Sequence, residues 1–338
     1  MNLSSSLIRW FQNHKHDLPW RKNRTPYSVW ISEIMLQQTI VKTVIPYFEK
    51  WMKKYPDVKT LAAAREHDVL RLWEGLGYYT RARNILKAAN MIVKDFGGDL
   101  PDNEHDLRRL PGIGEYTASA ILSIAFNKPH PLIDANVRKV GRRLLGLKKW
   151  DKQSAATLRR WLMNNMPPRR AGDFNEALME LGQTICLLEN PFCARCPLHR
   201  GCLAFQKNRQ DKIPGKKSRA LIEKKSILLL LIHQGKILIR KKEEGLWKGL
   251  WLLPDFATRK QAENFIHDTT GRSGRFVEKL PSRIQHYTRY RERLVPHIYR
   301  LKASPMKTAK GWRWASLHRL NRFPFPSTHR IILELLKK

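Results

Sequence analysis

Nothing in this chain is both long and apolar. The longest purely apolar run, ILLLLI at 227–232, falls far short of the ~20 residues a transmembrane helix requires, so no membrane span is expected. The N-terminal stretch MNLSSSLIRWFQNHKHDLPW lacks a continuous apolar core and a small-residue cleavage site, so no export signal is expected either. Acid is scarce: 29 Asp and Glu stand against 64 Lys and Arg, a formal charge of +35 over 338 residues. Cysteine is scarcer still, four in all, every one between 186 and 202. In a chain without an export signal that is not a disulfide framework. Internal repeats and low-complexity tracts are also missing. A soluble chain this basic suits a polyanion, with nucleic acid the first partner to test and an anionic membrane surface the alternative.

The length allows two domains, each with its own core. Residues 1 to about 206 read as a succession of helices punctuated by YPD, GGDLPDNE and KPHP, with hardly any period-2 alternation. Residues 207–224, KNRQDKIPGKKSRALIEK, are basic, contain Pro214 and Gly215, and predict an exposed connector. Residues 225–338 change character. SILLLLIHQGKILIRKK predicts two strands around a turn at Gln234–Gly235, HYTRYRERLVPHIYRLKA a further strand, and the stretches near 259–268 and 326–336 short helices. This α+β part carries 25 basic and 8 acidic side chains, the helical part 32 and 19, so both can lie on one polyanion.

Three constellations carry chemistry. The first is Cys186, Cys193, Cys196 and Cys202, spaced C-x6-C-x2-C-x5-C. Four thiolates make a zinc site or an iron–sulfur cluster, and one short gap between two long ones favours a cubane cluster over the paired knuckles of structural zinc. The second is LPGIGEYTASAILSIAF, 110–126. A helix capped around Asp102 is expected to lead into a tight turn at Gly112 and Gly114, and a second helix to leave with Ala118, Ile121, Leu122 and Ala125 inward. Such glycines let backbone N–H groups approach a DNA phosphate, although an ordinary helix–turn–helix corner would look the same. The third is PLIDANVRKVGRRLLG, 131–146, where Asp134 precedes an amphipathic helix and is followed by Arg138, Lys139, Arg142 and Arg143. As an N-cap it needs no further role.

A fourth feature poses a question. Thr25 and Pro26 form a helix start, after which Tyr27, Trp30, Ile31, Ile34 and Met35 recur at helical spacing. Glu33 borders that stripe. On local pattern alone a flanking glutamate is a solvated helix former.

Hairpin, aspartate and four-cysteine loop, in that order, resemble the iron–sulfur branch of the helix–hairpin–helix DNA glycosylase superfamily. LPWRKNRTPYSVWISEIMLQQTIVKTVIPYFEKW, LWEGLGYYTRARNI and LPGIGEYTASAI closely resemble the MutY-type adenine DNA glycosylases, densely over 16 to about 204 and more weakly to near 330. The resemblance implies a multidomain protein: an all-α helix–hairpin–helix glycosylase domain (1–206) with a 4Fe-4S cluster loop, then a Nudix-like α+β domain (225–338). It implies excision of adenine mispaired with 8-oxoguanine or guanine in double-stranded DNA, by a monomer in the bacterial cytoplasm at the nucleoid, with no membrane. Endonuclease III relatives carry a Schiff-base lysine where this chain has Tyr116, so a monofunctional enzyme is expected. The rivals are an endonuclease III-like or thymine mismatch glycosylase and, from another class, a non-catalytic DNA-binding iron–sulfur protein.

The resemblance makes Glu33 the acid that protonates the leaving adenine, which needs a pKa raised by an apolar setting. It makes Asp134 the carboxylate facing the sugar as charge develops at C1′, held ionised by N-cap hydrogen bonds, as an ion pair or a transient covalent partner. Tyr116 and Asn136 should line the pocket beside Asp134, and Glu176 should reach the adenine. Gln38 and Tyr78 match the family's intercalating wedges; for Tyr78 the alternative is core packing beside Tyr79. Arg195 and Arg200, between the cysteines, would face phosphates.

In the C-terminal part EEGLWKGLWLLPDF resembles a Nudix-like domain. A working Nudix hydrolase needs clustered glutamates on a helix, and ATRKQAENFIHDTTG offers Glu263 alone, so the expectation is recognition of 8-oxoguanine without pyrophosphohydrolase activity. The family presents an aromatic, Ser or Thr, then His there. This chain has Tyr287, Thr288 and Arg289.

Overall fold

The computed structural model describes residues 3–215, 222–287, 290–305, 308 and 310–337, in two compact units. One comprises Met1–Ala64 with Asn84–Lys217; the other joins Arg65–Arg83 to Ser218–Lys338. Thr288 and Arg289 lie outside the described residues.

Helices build the first unit. Thr25 caps Pro26–Leu36, its side chain accepting from the Ser28 N–H, with proline at the first turn. The pattern underestimates this helix: every residue from Tyr27 to Met35 is buried, so it has no solvated face and Glu33 goes inside with its neighbours. The hairpin forms where the glycines place it. Helix Glu104–Arg109 is capped by Asn103, which accepts from the Asp106 N–H, rather than by Asp102, whose side chain pairs with Lys128. Gly112 turns the chain at φ +84°, a left-handed conformation that costs glycine nothing. The exit helix Glu115–Ala120 widens into a π-helical turn over Ile121–Ala125. Ala118, Ile121 and Leu122 are buried as expected, but the wider turn buries Ile124 in place of a half-buried Ala125.

Helix Ala135–Leu144 follows, with Asp134 as its N-cap. Against it lies helix Ala171–Thr184, brought close at Gly182, where an added Cβ would stand 2.6 Å from the Asn136 Cβ. The expected connector is ordered structure at both of its described ends: Ile213 is 3% exposed and its carbonyl accepts from Arg143 Nε at 2.6 Å, and Ile222 already begins a strand of the second unit.

The second unit is built on a sheet that, among the described residues, has eight strands. They are β1 (Ile222–His233), β2 (Lys236–Lys241), β3 (Trp251–Leu252), β4 (Asp255–Phe256), β5 (Gly274–Lys279), β6 (Arg283–Tyr287), β7 (Tyr290–Leu301) and β8 (Trp312–Ser316). The order β3-β2-β1-β7-β5 places β1 and β7 at the centre as a parallel pair, with β4, β8 and β6 pairing β1, β2 and β7. The expected turn at Gln234–Gly235 has φ of +44° and +69°, which suits a tight two-residue hairpin. The ILLLLI run is explained by burial on both faces. Leu228 and Leu230 join a core with Ile237, Phe325 and Ile332, while Leu229 and Leu231 join another with Ile266 and Tyr299. Helices Arg259–Thr270 and Ser327–Glu334 fall where periodicity predicts.

Candidate active site

Within the first unit a cleft of about 740 Å³ is lined by Glu33, Gln37, Gln38, Tyr116, Asp134, Asn136, Glu176 and Met179 among others. A cleft of that size has ample room for a nucleoside-sized group. Six residues proposed from sequence, scattered from 33 to 176, therefore share one wall-to-wall space.

Glu33 is 6% exposed. Its Oε2 accepts from the Tyr116 hydroxyl at 2.8 Å. Burial pushes its pKa up to about 7; the Tyr116 hydrogen bond opposes this, the nearby Glu176 and Asp134 charges add to it, and Arg21 draws it back. Burial first, then the Glu33 and Asp134 charges and the hydrogen bond itself, drive the Tyr116 phenol well above its ordinary value, so it remains a donor. Asp134 accepts from the Val137 N–H at 2.6 Å and from Asn136 Nδ2 at 3.0 Å. Its pKa does not fall, as capping alone would require. Burial raises it, and the hydrogen bonds from Val137 and Asn136, helped by the Lys139 charge, only moderate the rise. Lys139 is itself held by the Gly182 carbonyl at 2.7 Å.

Glu176 enters the cleft already paired, with Arg21 Nε at 2.9 Å and Arg24 Nη2 at 2.5 Å. Arg21 also binds Glu180 at 2.8 Å, and Glu180 meets His16. Sequence reasoning missed Arg21, Arg24 and Gly182. Asp173, Glu176 and Glu180 recur on one helix face, which signals a charged stripe but not the distant basic segment that meets it.

The two intercalation candidates share a conformation. Gln38 has φ +57° and Tyr78 φ +48°, a left-handed backbone that non-glycine residues seldom adopt and that concentrates at functional sites. Tyr78 is 50% exposed while Tyr79 is 4% exposed, so the core-packing alternative belongs to Tyr79. Gly112 and Gly114 differ. A Cβ at Gly112 would meet the Asn84 Cβ at 2.9 Å, whereas Gly114, ahead of the exit helix, has open space beside it.

The four cysteines stand around one small cavity with Arg143, His199 and Phe205. Burial and the proximity of neighbouring cysteines raise the thiol pKa values of Cys193, Cys196 and Cys202, that of Cys196 to about 12. Arg143, 2% exposed, donates to Cys186 Sγ at 3.3 Å and to the carbonyls of Leu187 and Leu188 at 2.5 and 2.9 Å. No trio of His, Cys, Asp or Glu among the described residues is gathered to hold a single metal ion. A thiol set ringed about a shared space, with an arginine donating to one sulfur, suits a polynuclear cluster.

In the second unit, Tyr287 ends β6 with its hydroxyl on Glu292 Oε2 at 2.8 Å and its ring 5.6 Å from Trp247. Glu292, 2% exposed, also accepts from Ser226, Gln285 and Lys224 at 2.6, 2.9 and 2.9 Å, and these bonds outweigh burial to hold its pKa at about 2. Glu263, on helix Arg259–Thr270, is paired with Arg259 at 2.8 Å.

Residues 31–164 match the HhH-GPD superfamily of base excision DNA repair proteins, and residues 227–335 match the NUDIX domain. Adenine DNA glycosylase of Buchnera aphidicola subsp. Schizaphis graminum is 33% identical over 99% of this chain and 98% of its own. The human adenine DNA glycosylase is 40% identical over 62% of this chain and 40% of its own. Among solved structures, a thermostable thymine-DNA glycosylase aligns with TM-score 0.55 at 26% identity, over 60% of this chain and 95% of its own. An endonuclease III–DNA complex aligns with TM-score 0.52 at 25% identity, over 61% and 94%. An alignment at 33% identity that spans nearly the whole of both chains, and so both units, shows the family: the chain belongs to the adenine DNA glycosylases.

Proposed function

We propose that this base-excision repair enzyme binds duplex DNA, extrudes adenine mispaired with 8-oxoguanine or guanine, and hydrolyses its N-glycosyl bond without cutting the strand. The observation that carries the reading is Glu33: a carboxyl buried to 6% exposure, with a pKa of about 7, in the same cleft as a second carboxyl. Adenine departs poorly as an anion, so a proton must reach the base, at N7 by the family's mechanism, as the bond to C1′ breaks. Glu33 supplies it. Its Oε2 accepts from the Tyr116 hydroxyl, which supports Oε1 as the oxygen that carries the proton. Asp134, anchored by Val137 and Asn136, faces the sugar and balances the positive charge growing on C1′. Water then adds to C1′, its second proton passes to a carboxylate, and the products are free adenine and an abasic site. Glu176, held by Arg21 and Arg24, bounds the adenine pocket, and its charge adds to the burial that keeps Glu33 protonated near pH 7.

Gln38 and Tyr78 fill the stack as the base leaves, each pre-set in a left-handed conformation. Gly112 and Gly114 present backbone N–H groups to phosphate. Cys186, Cys193, Cys196 and Cys202 would hold a 4Fe-4S cluster, a rigid support for the exposed Arg195 and Arg200 against the backbone. In the second unit Tyr287, Thr288 and Arg289 read the base opposite adenine. 8-Oxoguanine carries hydrogen on N7, which a threonine hydroxyl can accept and a guanidinium cannot. Glu263, spent on Arg259, leaves no carboxylate cluster for magnesium on its helix. Among the described residues no helix is long and apolar enough to cross a membrane.

The test is incubation with duplexes containing A opposite G, A opposite 8-oxoguanine and T opposite G, scored for abasic sites with and without alkali. Adenine release from the first two, with strand breaks only after alkali, is expected. Release of thymine, or no release of adenine, would overturn the assignment.

A further inference from the structure

Residues 65–83 lie inside the helical part of the sequence, yet they pack in the compact unit of the C-terminal domain. This segment carries Tyr78. After helix Glu66–Leu72 the chain passes Glu74, turns at Gly75 (φ +107°) and Gly77 (φ +70°), and presents Tyr78 half exposed. Three contacts fasten it. Arg330, on helix Ser327–Glu334, grips both carboxyl oxygens of Glu74 with Nε and Nη2, the latter at 3.0 Å. The two side chains are 20% and 15% exposed. The Tyr79 hydroxyl donates to the Phe325 carbonyl at 3.0 Å, and Arg83 donates to the Lys248 carbonyl.

The anchoring arginine is itself immobilised. It donates to the carbonyls of Leu320 at 3.0 Å and Phe323 at 2.6 Å, and its guanidinium lies 5.0 Å over the ring of Phe325, a wholly buried core residue. On the other side, Arg81 donates to the carbonyls of Leu76 and Gly77 at 3.0 and 3.1 Å. It lies 5.2 Å from the Trp73 ring and 5.5 Å from the Tyr78 ring. A bidentate fork fixes orientation as well as distance, which a single bond or apolar packing does not. Fixed contacts therefore run from the C-terminal core to the ring of Tyr78.

We propose that the Arg330–Glu74 fork couples the C-terminal domain to the Tyr78 wedge, so that recognition of the base opposite adenine sets how firmly the wedge enters the stack. Both are positioning residues; neither touches the cleft described above. The inference rests on the reading of Tyr78 as wedge and of the C-terminal domain as lesion reader. Breaking the fork should leave the wedge present but no longer steered. Excision opposite 8-oxoguanine, which uses the steering, should suffer; excision opposite guanine should not.

The full-length enzyme tests this in single-turnover assays on A:8-oxoguanine and A:G duplexes, comparing wild type, Glu74→Gln, Arg330→Met, Tyr78→Ala and the double variant Tyr78→Ala/Arg330→Met. The expected result is about a tenfold loss on A:8-oxoguanine for Glu74→Gln and Arg330→Met, the lower part of the range for coupled sites. The A:G rate should stay within about twofold. Arg330→Met should add nothing once Tyr78 is alanine. Glu74→Gln keeps the side chain's shape and answers the question even where Arg330→Met folds poorly. Equal losses on both duplexes, no loss on either, or full additivity with Tyr78→Ala would overturn the coupling. A Tyr78→Ala enzyme with wild-type rates would instead overturn the wedge reading, which separates the two failures.

Discussion

Replacing Glu33 by glutamine should abolish adenine release and yet stabilise the catalytic unit, by an amount that depends on pH. The carboxyl titrates from an ordinary value of 4.5 to about 7 when buried. Its folded pKa lies above its unfolded one, so the unfolded chain gives up the proton first. The wild type therefore keeps its full stability below pH 4.5, loses it progressively as pH rises to about 7, and stays at the reduced level above that. At about 1.4 kcal/mol per pKa unit the loss comes to roughly 3 kcal/mol. Glutamine has the neutral shape at every pH, and its carbonyl can still accept from Tyr116. Glu33→Gln should match wild type near pH 4.5 and exceed it by up to about 3 kcal/mol at pH 8, or about 6–12 °C in Tm for a unit of this size. Thermal and urea melts of both proteins at pH 5 and pH 8, followed through the transition of the helical unit, measure it. The same difference at both pH values would refute the buried, elevated carboxyl, and adenine release by the variant would refute its role as the acid.

The wild-type single-turnover rate should fall about tenfold per pH unit above 7, as the acid form of Glu33 is depleted; a rate still climbing at pH 9 would count against it. Gly112→Ala forces a left-handed alanine against Asn84 and should cost at least about 1–2 kcal/mol, whereas Gly114→Ala has room and should fold normally while binding DNA less well; melts and titrations separate them. Anaerobically purified protein should be yellow-brown with iron and sulfide near four each per chain (roughly, as a cubane requires), and zinc in their place would refute the cluster. Thr288→Val should reduce the preference for A:8-oxoguanine over A:G, and Arg289→Ala should weaken binding to both. An unchanged ratio in the first and an abolished one in the second would reverse the roles.

What the sequence made legible was local. Thr25–Pro26, the Gly112 turn, the Asp134 cap and the Gln234–Gly235 hairpin are set by residues within four positions of one another, and each formed where its chemistry required. What stayed hidden was long-range. The pattern around Glu33 showed one apolar stripe, because periodicity reports the burying face of a helix and is silent when the other faces are covered by elements far away in sequence. The ion pairs of Arg21 and Arg24 with Glu176 join positions about 150 residues apart, and no spacing rule reaches them. Asn103 is the cap because the helix starts at Glu104, and Asp102 pairs with Lys128, a partner that local pattern does not reveal.

That same distinction explains the pKa values in the cleft. Hydrogen bonds from the cap are local, and from them alone Asp134 should titrate low. Desolvation is set by everything packed around it, and it prevails: both carboxyls are raised, Glu33 to about 7 with one hydrogen bond and Asp134 against bonds from Val137 and Asn136 and the Lys139 charge. The division of labour between acid and anion therefore does not come from one buried and one solvated group. Both are buried in one cleft, and the number of donors each has been given decides which keeps its proton. Moving a single donor, by Asn136→Ala, should raise Asp134 further and shift the lower limb of the pH–rate profile upward while leaving the upper limb in place. An upper limb that moved with it would mean the two carboxyls titrate as one coupled pair.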